Sequence, residues 1–293
     1  MEDHIIRATA AGGSIRAFAA VTTELVQQAH EMHETSGVAS AALGRTLTAA
    51  AMMSRMMKNE QDVLTIHIKG DGPLGGIIVV ADAYSNIRGY VYNPQVYLPL
   101  NSVGKFDVGQ AVGKNGYMNV IKDLGLKEPY VGYVNLISGE IGEDIAYYFA
   151  TSEQIPTVIS LGVMVDPDEN IVTAGGYLIQ LMPGAEQELA EYLEDKVFFA
   201  DSITTMLTDG LGPSQILERL LGEKGLEIND TLPCRYQCNC SRSRMERNLI
   251  SLGAKEILEI ADEQHGAELV CHFCNKKYNF SENELRSLTE PIK

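Results

Sequence analysis

The stretch that decides the reading runs Pro233-Cys-Arg-Tyr-Gln-Cys-Asn-Cys-Ser-Arg242, and it is answered downstream by Cys271-His-Phe-Cys-Asn-Lys-Lys-Tyr278. With Cys234 set aside, the pattern is Cys238-x-Cys240, a spacer of thirty residues, then Cys271-x-x-Cys274. Two close pairs of soft thiolate donors, brought together by a foldable spacer, are what a four-coordinate zinc site requires. Cys238, Cys240, Cys271 and Cys274 are therefore the expected ligands. Four cysteines close the coordination sphere, which disfavours a hydrolytic zinc. His272 lies inside the second pair and ranks below the cysteines; Cys234 is surplus and receives no role.

All five cysteines of the 293-residue chain fall in its last sixty residues, so they are not scattered core residues. The opening Met1-Glu2-Asp3-His4 is acidic and no apolar run follows, so no secretory signal is expected. In a cytoplasmic protein such thiols stay reduced, which favours metal ligands or redox sensors over structural staples. The apolar stretch Thr46 to Met57 contains Arg55 and is too short to cross a bilayer, so no membrane partner is expected. A net charge of −16 argues against a nucleic-acid partner, which needs a basic face.

Upstream, the pattern is strand-heavy with few helices and indicates an α+β fold. Strands are expected at 3–10, 14–21, 63–69, 77–80, 87–92, 117–122, 131–138, 158–165 and 176–181. Helices are expected from Thr22 and Thr23 as caps to about His33, over Val38–Lys58, and over Glu143–Ser152. The clustered Met52, Met53, Met56 and Met57 read as core rather than as an adaptable binding surface, and His30, His33 and His67 as satisfied or surface histidines. Gly70-x-Gly72-x-x-Gly75 imitates a dinucleotide fingerprint, but Pro73 and the β-branched run Ile77-Ile78-Val79-Val80 continue as strand. Phosphate needs a helix N-terminus there, so a hairpin turn without nucleotide is expected.

The composition shifts at Met182-Pro183-Gly184. Three parts are expected: an α+β domain over 1–182, a helical linker over 183–230, and a zinc domain over 231–293. The linker carries apolar stripes such as Leu189, Tyr192, Leu193 and Val197, or Ile216, Leu217, Leu220 and Leu221, broken by glycines. Such helices must lie on something, because their apolar faces are a liability when uncovered. The last part has helices at 242–252 and 254–264, strands at 267–271 and 277–280, and a Ser281-x-x-Glu284 capping box. A module of that size with few large apolar groups is close to the limit of independent stability. Zinc would supply on the order of 10–16 kcal/mol. Each cysteine pair is near enough to close internally once metal leaves, and Arg235, Arg242, Arg244 and Arg247 crowd the first pair and favour thiolates.

These residues carry a resemblance. Cys-Asn-Cys-Ser-Arg-Ser-Arg-Met-Glu-Arg from Cys238, Cys-His-Phe-Cys at 271–274, Ile68-Lys-Gly-Asp-Gly-Pro-Leu-Gly and Asn86-Ile-Arg-Gly-Tyr-Val together resemble the 33 kDa chaperonin family of bacterial heat-shock chaperones. The resemblance covers essentially the whole chain. It implies no enzyme but an ATP-independent holdase, silent when reduced and holding one zinc ion. On oxidation zinc would leave, disulfides Cys238–Cys240 and Cys271–Cys274 would form, and the linker and zinc domain would unfold. The surface so uncovered would bind unfolding client proteins, with a homodimer accompanying activation.

Two other readings stay open at the level of sequence. One is a thiol–disulfide oxidoreductase using Cys271-x-x-Cys274, which normally wants that motif at a helix N-terminus. The other is a zinc-dependent nucleic-acid regulator using Arg242, Arg244 and Arg247 on phosphates, which the acidity opposes.

Overall fold

A computed structural model describes residues 2–289, and the chain divides into two compact units, Met1–Gln237 and Cys238–Lys293. The first unit opens with β1 (His4–Ala10), β2 (Ile15–Val21), α1 (Thr23–His33) and α2 (Gly37–Ser54). Then come β3 (Val63–Lys69), β4 (Ile77–Asp82), β5 (Asn86–Val91), α3 (Val108–Val112), β6 (Tyr117–Asp123) and β7 (Tyr130–Asn135). It continues through α4 (Gly142–Tyr148), β8 (Thr157–Val165) and β9 (Ile171–Leu181), and then α5 (Gln187–Phe198), α6 (Ile203–Thr208) and α7 (Pro213–Leu221). β10 (Glu227–Pro233) and β11 (Arg235–Tyr236) complete it. The expected α+β class holds.

Two sheets carry the unit, ordered β10-β1-β2-β9-β8 and β11-β5-β4-β3-β6-β7. Neighbouring strands are antiparallel except for the short β11–β5 pair. Helix α2 packs on strands of both sheets, and every residue in it except Arg45 is buried. Its alanines, glycines and serines explain how: with no bulky face, the backbone can approach both layers. Met52 and Met53 are core, and Met56 and Met57 pack partly buried against it, as expected from the sequence. The histidines are satisfied: His30 Nδ1 lies 3.1 Å from Ser40 Oγ, His33 Nε2 3.2 Å from Tyr236 Oη, and His67 Nε2 3.3 Å from Tyr92 Oη.

Helices α5–α7 lie on the outer face of the first sheet. Because side chains alternate along β1, Ile5 enters the core around α2, whereas Ile6, Ala8 and Ala10 form a second core with Leu193, Ile203, Met206, Ile216, Leu217, Leu220 and Leu221. Full burial of each large side chain there contributes about 1.5–3 kcal/mol. The apolar helix stripes are thus covered, and so is the sheet face beneath them.

The glycine run after β3 turns into β4, not into a helix. Gly72 N–H donates to Val112 O (2.9 Å) and Leu74 N–H to Ala111 O (3.0 Å). A Cβ on Gly70 would lie 2.1 Å from Val112 O, so the glycines permit backbone to meet backbone. Two features depart from expectation. Thr22 does not cap α1; its hydroxyl pairs with Thr48 at 2.6 Å. The cap is Asp3, the residue just before β1, whose carboxylate accepts from Glu24 N–H (3.2 Å) and Leu25 N–H (2.7 Å). β10 was not expected as a strand either, because Asn229, Asp230 and Pro233 are poor strand formers.

Burial holds the Asp3 carboxyl up at about 6, against an ordinary 3.8, despite those two donors. The native state therefore binds this proton more tightly than the unfolded chain. The associated stability is present below about pH 4 and is lost as pH rises through 6. Denaturant unfolding of the parent and Asp3→Asn at pH 4.5 and 7.5 should show the parent losing about 2 kcal/mol relative to the variant. Equal pH slopes would refute this.

Candidate metal centre

In the second unit, α8 (Arg242–Ile250) and α9 (Ala254–Gln264) precede the hairpin β12 (Gly266–Val270) and β13 (Lys277–Ser281), and α10 (Glu282–Ser287) closes it. The expected capping box forms at α10: Ser281 Oγ accepts from Glu284 N–H, and Glu284 accepts from Ser281 N–H at 2.8 Å. The core is small, built on Met245, Leu249, Ile257, Tyr278, Phe280 and Leu285.

The cysteines sit where the hairpin and α8 begin or end. Cys271 leaves β12, and its carbonyl accepts from Cys274 N–H (3.2 Å) and Asn275 N–H (2.8 Å), while Cys271 N–H donates to Lys276 O (3.0 Å). Asn275, at φ +53°, supplies the left-handed residue that tightens the turn. Cys240 immediately precedes Ser241, whose hydroxyl caps α8 by accepting from Arg244 N–H at 3.3 Å. It therefore lies at the positive end of that helix, which favours a thiolate.

The four expected ligands come together. The Sγ atoms of Cys238, Cys240, Cys271 and Cys274 all lie within 4.8 Å of one another, with Cys238–Cys271 at 3.7 Å and Cys240–Cys274 at 3.3 Å. Zinc–sulfur bonds of about 2.3 Å arranged tetrahedrally set sulfurs about 3.8 Å apart, so the donor set and its spacing fit that ion. All five cysteines are free thiols. Cys234 is elsewhere: it is buried in the first unit's core beside Val21 O (3.8 Å), where burial, with Asp3 adding to it, pushes its thiol up.

The thiols are not equivalent. Burial raises Cys238 and Cys274. Burial opposes the Cys240 thiolate too, but the Tyr278 hydroxyl, donating at 3.1 Å, and the neighbouring thiols outweigh it and bring Cys240 down to about 7. Tyr278 is itself pushed up to about 12 by that bond. Two of the arginines expected at the first cysteine pair, Arg242 and Arg235, are committed elsewhere, while Arg244 stays beside the pair on Asn239. Arg242 donates to Glu284 (2.6 Å) and Asn279 O (3.0 Å) with its guanidinium 4.3 Å from the Phe280 ring centre. Arg244 donates to Asn239 (3.2 Å) and Arg235 to Asn86 (2.8 Å). Tyr278 is the residue that sequence reasoning missed. Its parity with the core residue Phe280 on β13 was the available signal.

Comparison with known proteins agrees with this arrangement. A family profile described as "Hsp33 protein" matches residues 3–281. A 33 kDa chaperonin of Acetivibrio thermocellus is 57% identical over 292 residues, covering 100% of this chain and 98% of the relative. One from Ruminiclostridium cellulolyticum is 54% identical, covering 99% of each. The crystal structure of the 33 kDa chaperonin of Thermotoga maritima superposes with a TM-score of 0.90 at 39% identity, covering 99% of this chain and 98% of that one. These matches place the chain among chaperones, in a family that is not enzymatic. The chain belongs to the Hsp33 family.

Removing the donor to a ligand sulfur should loosen the centre. Tyr278→Phe is expected to weaken zinc binding about 10–100-fold in a competition titration against a chromophoric chelator. Unchanged affinity would dismiss Tyr278 as a supporting group.

Proposed function

We propose that this chain is a redox-regulated, ATP-independent holdase that protects unfolding proteins from aggregation. The observation that carries the reading is the gathering of four thiols inside 4.8 Å in a unit with a small apolar core. Cys238, Cys240, Cys271 and Cys274 would hold one zinc ion in the reduced state, and the ion would supply folding free energy and keep the thiolates ionised. Oxidation to Cys238–Cys240 and Cys271–Cys274 removes all four ligands, and zinc leaves with them. Each disulfide forms as its two thiols give up two electrons and two protons, which an oxidant such as hydrogen peroxide accepts on becoming two waters.

The functional division is an α+β body over 1–182, a linker over 183–230 and a redox-sensing domain over 231–293. The linker covers Ile6, Ala8, Ala17, Ala19, Tyr177 and Ile179 on the first sheet. Loss of order in the linker would expose both its own stripes and that face, an apolar surface of the chemistry that binds partly unfolded clients. The exposed pair Phe198 and Phe199, about four-fifths accessible, already offers a foothold at the end of α5. A cytoplasmic location and a homodimer in the active state complete the proposal. No helix among the described residues is long and apolar enough to cross a membrane.

The alternatives gain little. Cys271-x-x-Cys274 sits in a turn between strands, not at a helix N-terminus where thioredoxin-like chemistry operates. Arg242, the first of the phosphate candidates, is committed to Glu284.

Peroxide treatment of the zinc-loaded chain at elevated temperature should release zinc and raise suppression of client aggregation together, read by a zinc dye and light scattering. Zinc release with no gain in protection would contradict the reading. Cys234→Ser should keep both responses, whereas Cys240→Ser should lose stoichiometric zinc. A second arm asks whether cover alone suffices: Leu217→Asp, in the second core, should protect clients while still reduced and zinc-loaded. Protection no better than the parent's, with the linker shown to be loosened, would exclude the covered face.

A further inference from the structure

β10 occupies the edge of the first sheet, antiparallel to β1, with His4 opposite Pro233, Ile5 opposite Leu232 and Arg7 opposite Asp230, before a register shift between Arg7 and Ala8. The two strands are unlike. β1 is buried on both faces, Ile5 towards α2 and Ile6, Ala8 and Ala10 towards α5–α7. β10 has no buried residue, and its Ile228 is 45% exposed. Side chains tie it to β1 through the Arg7–Asp230 ion pair and a 3.4 Å bond from the Asn229 amide to Thr9 Oγ1. Asn229 and Asp230 disfavour extended structure, and Pro233 cannot donate to a ladder. What holds β10 is therefore chiefly main-chain hydrogen bonding, which any extended segment can reproduce.

Connectivity makes this strand displaceable from one end. Just past it, Cys234 is buried, and the buried Tyr236 donates to Gly89 O at 2.9 Å and accepts from Gly89 N–H at 3.3 Å, which anchors the chain after Pro233. At its other end β10 follows Gly225, at φ +67°, and the α7 helix of the linker. Four residues separate Pro233 from Cys238. Loss of order in the linker frees the Glu227 end, and β10 can peel towards its Cys234 anchor.

We propose that the β1 edge is a strand-addition site for an extended, β-prone segment of an unfolding protein, and that β10 is its resident placeholder. The inference rests on the holdase reading and names the mode of capture. The resident strand shows what the edge accepts: an antiparallel, fully extended chain. A client segment with alternating valine, isoleucine or threonine offers the same ladder and a stronger strand preference than Asn229-Asp230. With the whole chain at a net charge of −16, neutral or basic flanks suit it better than acidic ones.

The test uses the full chain, reduced and peroxide-oxidised, with a fluorescent peptide of alternating threonine and valine flanked by lysines. Its control is the same peptide N-methylated at alternate residues, which keeps the apolar surface but removes the donors along one edge. The oxidised chain should bind the unmethylated peptide about tenfold more tightly than the control. Hydrogen exchange over His4–Ala10 should quicken on oxidation and slow again when peptide is added. Reduced, zinc-loaded Asp230→Pro, which breaks the placeholder at a half-buried edge position and removes the ion pair with Arg7, should bind the peptide without oxidation and with its zinc content unchanged. Equal binding of the two peptides overturns the proposal. So does β1 protection in the oxidised chain that persists without peptide and rises with protein concentration, because the edge is then taken by a second copy. Client aggregation measured alongside keeps the two readings apart. Oxidation-enhanced protection with equal peptide binding defeats strand addition and leaves the holdase standing. Absent protection defeats the holdase, and the peptide titration still decides the edge.

Discussion

Four sulfurs held inside 4.8 Å of one another are the constraint on which the second unit depends. Buried thiols resist ionisation, as Cys238 and Cys274 do, yet Cys240 is drawn down to about 7 by Tyr278 and its neighbours. A cluster of partly ionised sulfurs is self-repelling until a cation enters, and a divalent ion resolves the conflict by deprotonating its ligands outright. The apolar core around Met245, Leu249 and Phe280 is too small to bear that conflict unaided. In the proposed mechanism the ion is therefore a removable part of the core, and oxidation of its ligands is equivalent to cutting a hole there.

The first unit is built in a way that gives such a loss somewhere to act. Its α2 core is shared by two sheets and depends on nothing in the linker, whereas the second core exists only while α5–α7 lie on β1, β2 and β9. One body thus has a permanent interior and a conditional one. The conditional one is made of Ile6, Ala8, Ala17 and Ala19 on one side and Ile216, Leu217, Leu220 and Leu221 on the other, and each half is a ready apolar surface when the other withdraws.

Much of this was legible in the sequence because each feature had a local cause. The alternation over 63–69 marked β3 to the residue, the β-branched run at 77–80 marked the start of β4, and Gly253 separated α8 from α9. The cysteine spacing named the four thiols that the fold brings together. What escaped was set by tertiary context. Asp3 caps α1 from before β1, so no local motif announces it, and the neighbouring Thr22 was the more obvious cap. β10 is a strand only because β1 offers an edge, against the preferences of Asn229 and Asp230. The arginines near Cys238 are crowded in sequence, yet Arg235 and Arg242 turn to Asn86 and Glu284, while Tyr278, thirty-eight residues from Cys240, supplies the donor.

In the proposed mechanism the thiol cluster governs the cover of the first sheet. Hydrogen exchange resolved along the chain, followed through peroxide oxidation with zinc release recorded in parallel, tests this coupling. Protection over Gln187–Leu221 should fall in step with zinc release, while α2 stays protected throughout. Zinc leaving and residues 238–289 exchanging freely, with Gln187–Leu221 as protected as before, would contradict it.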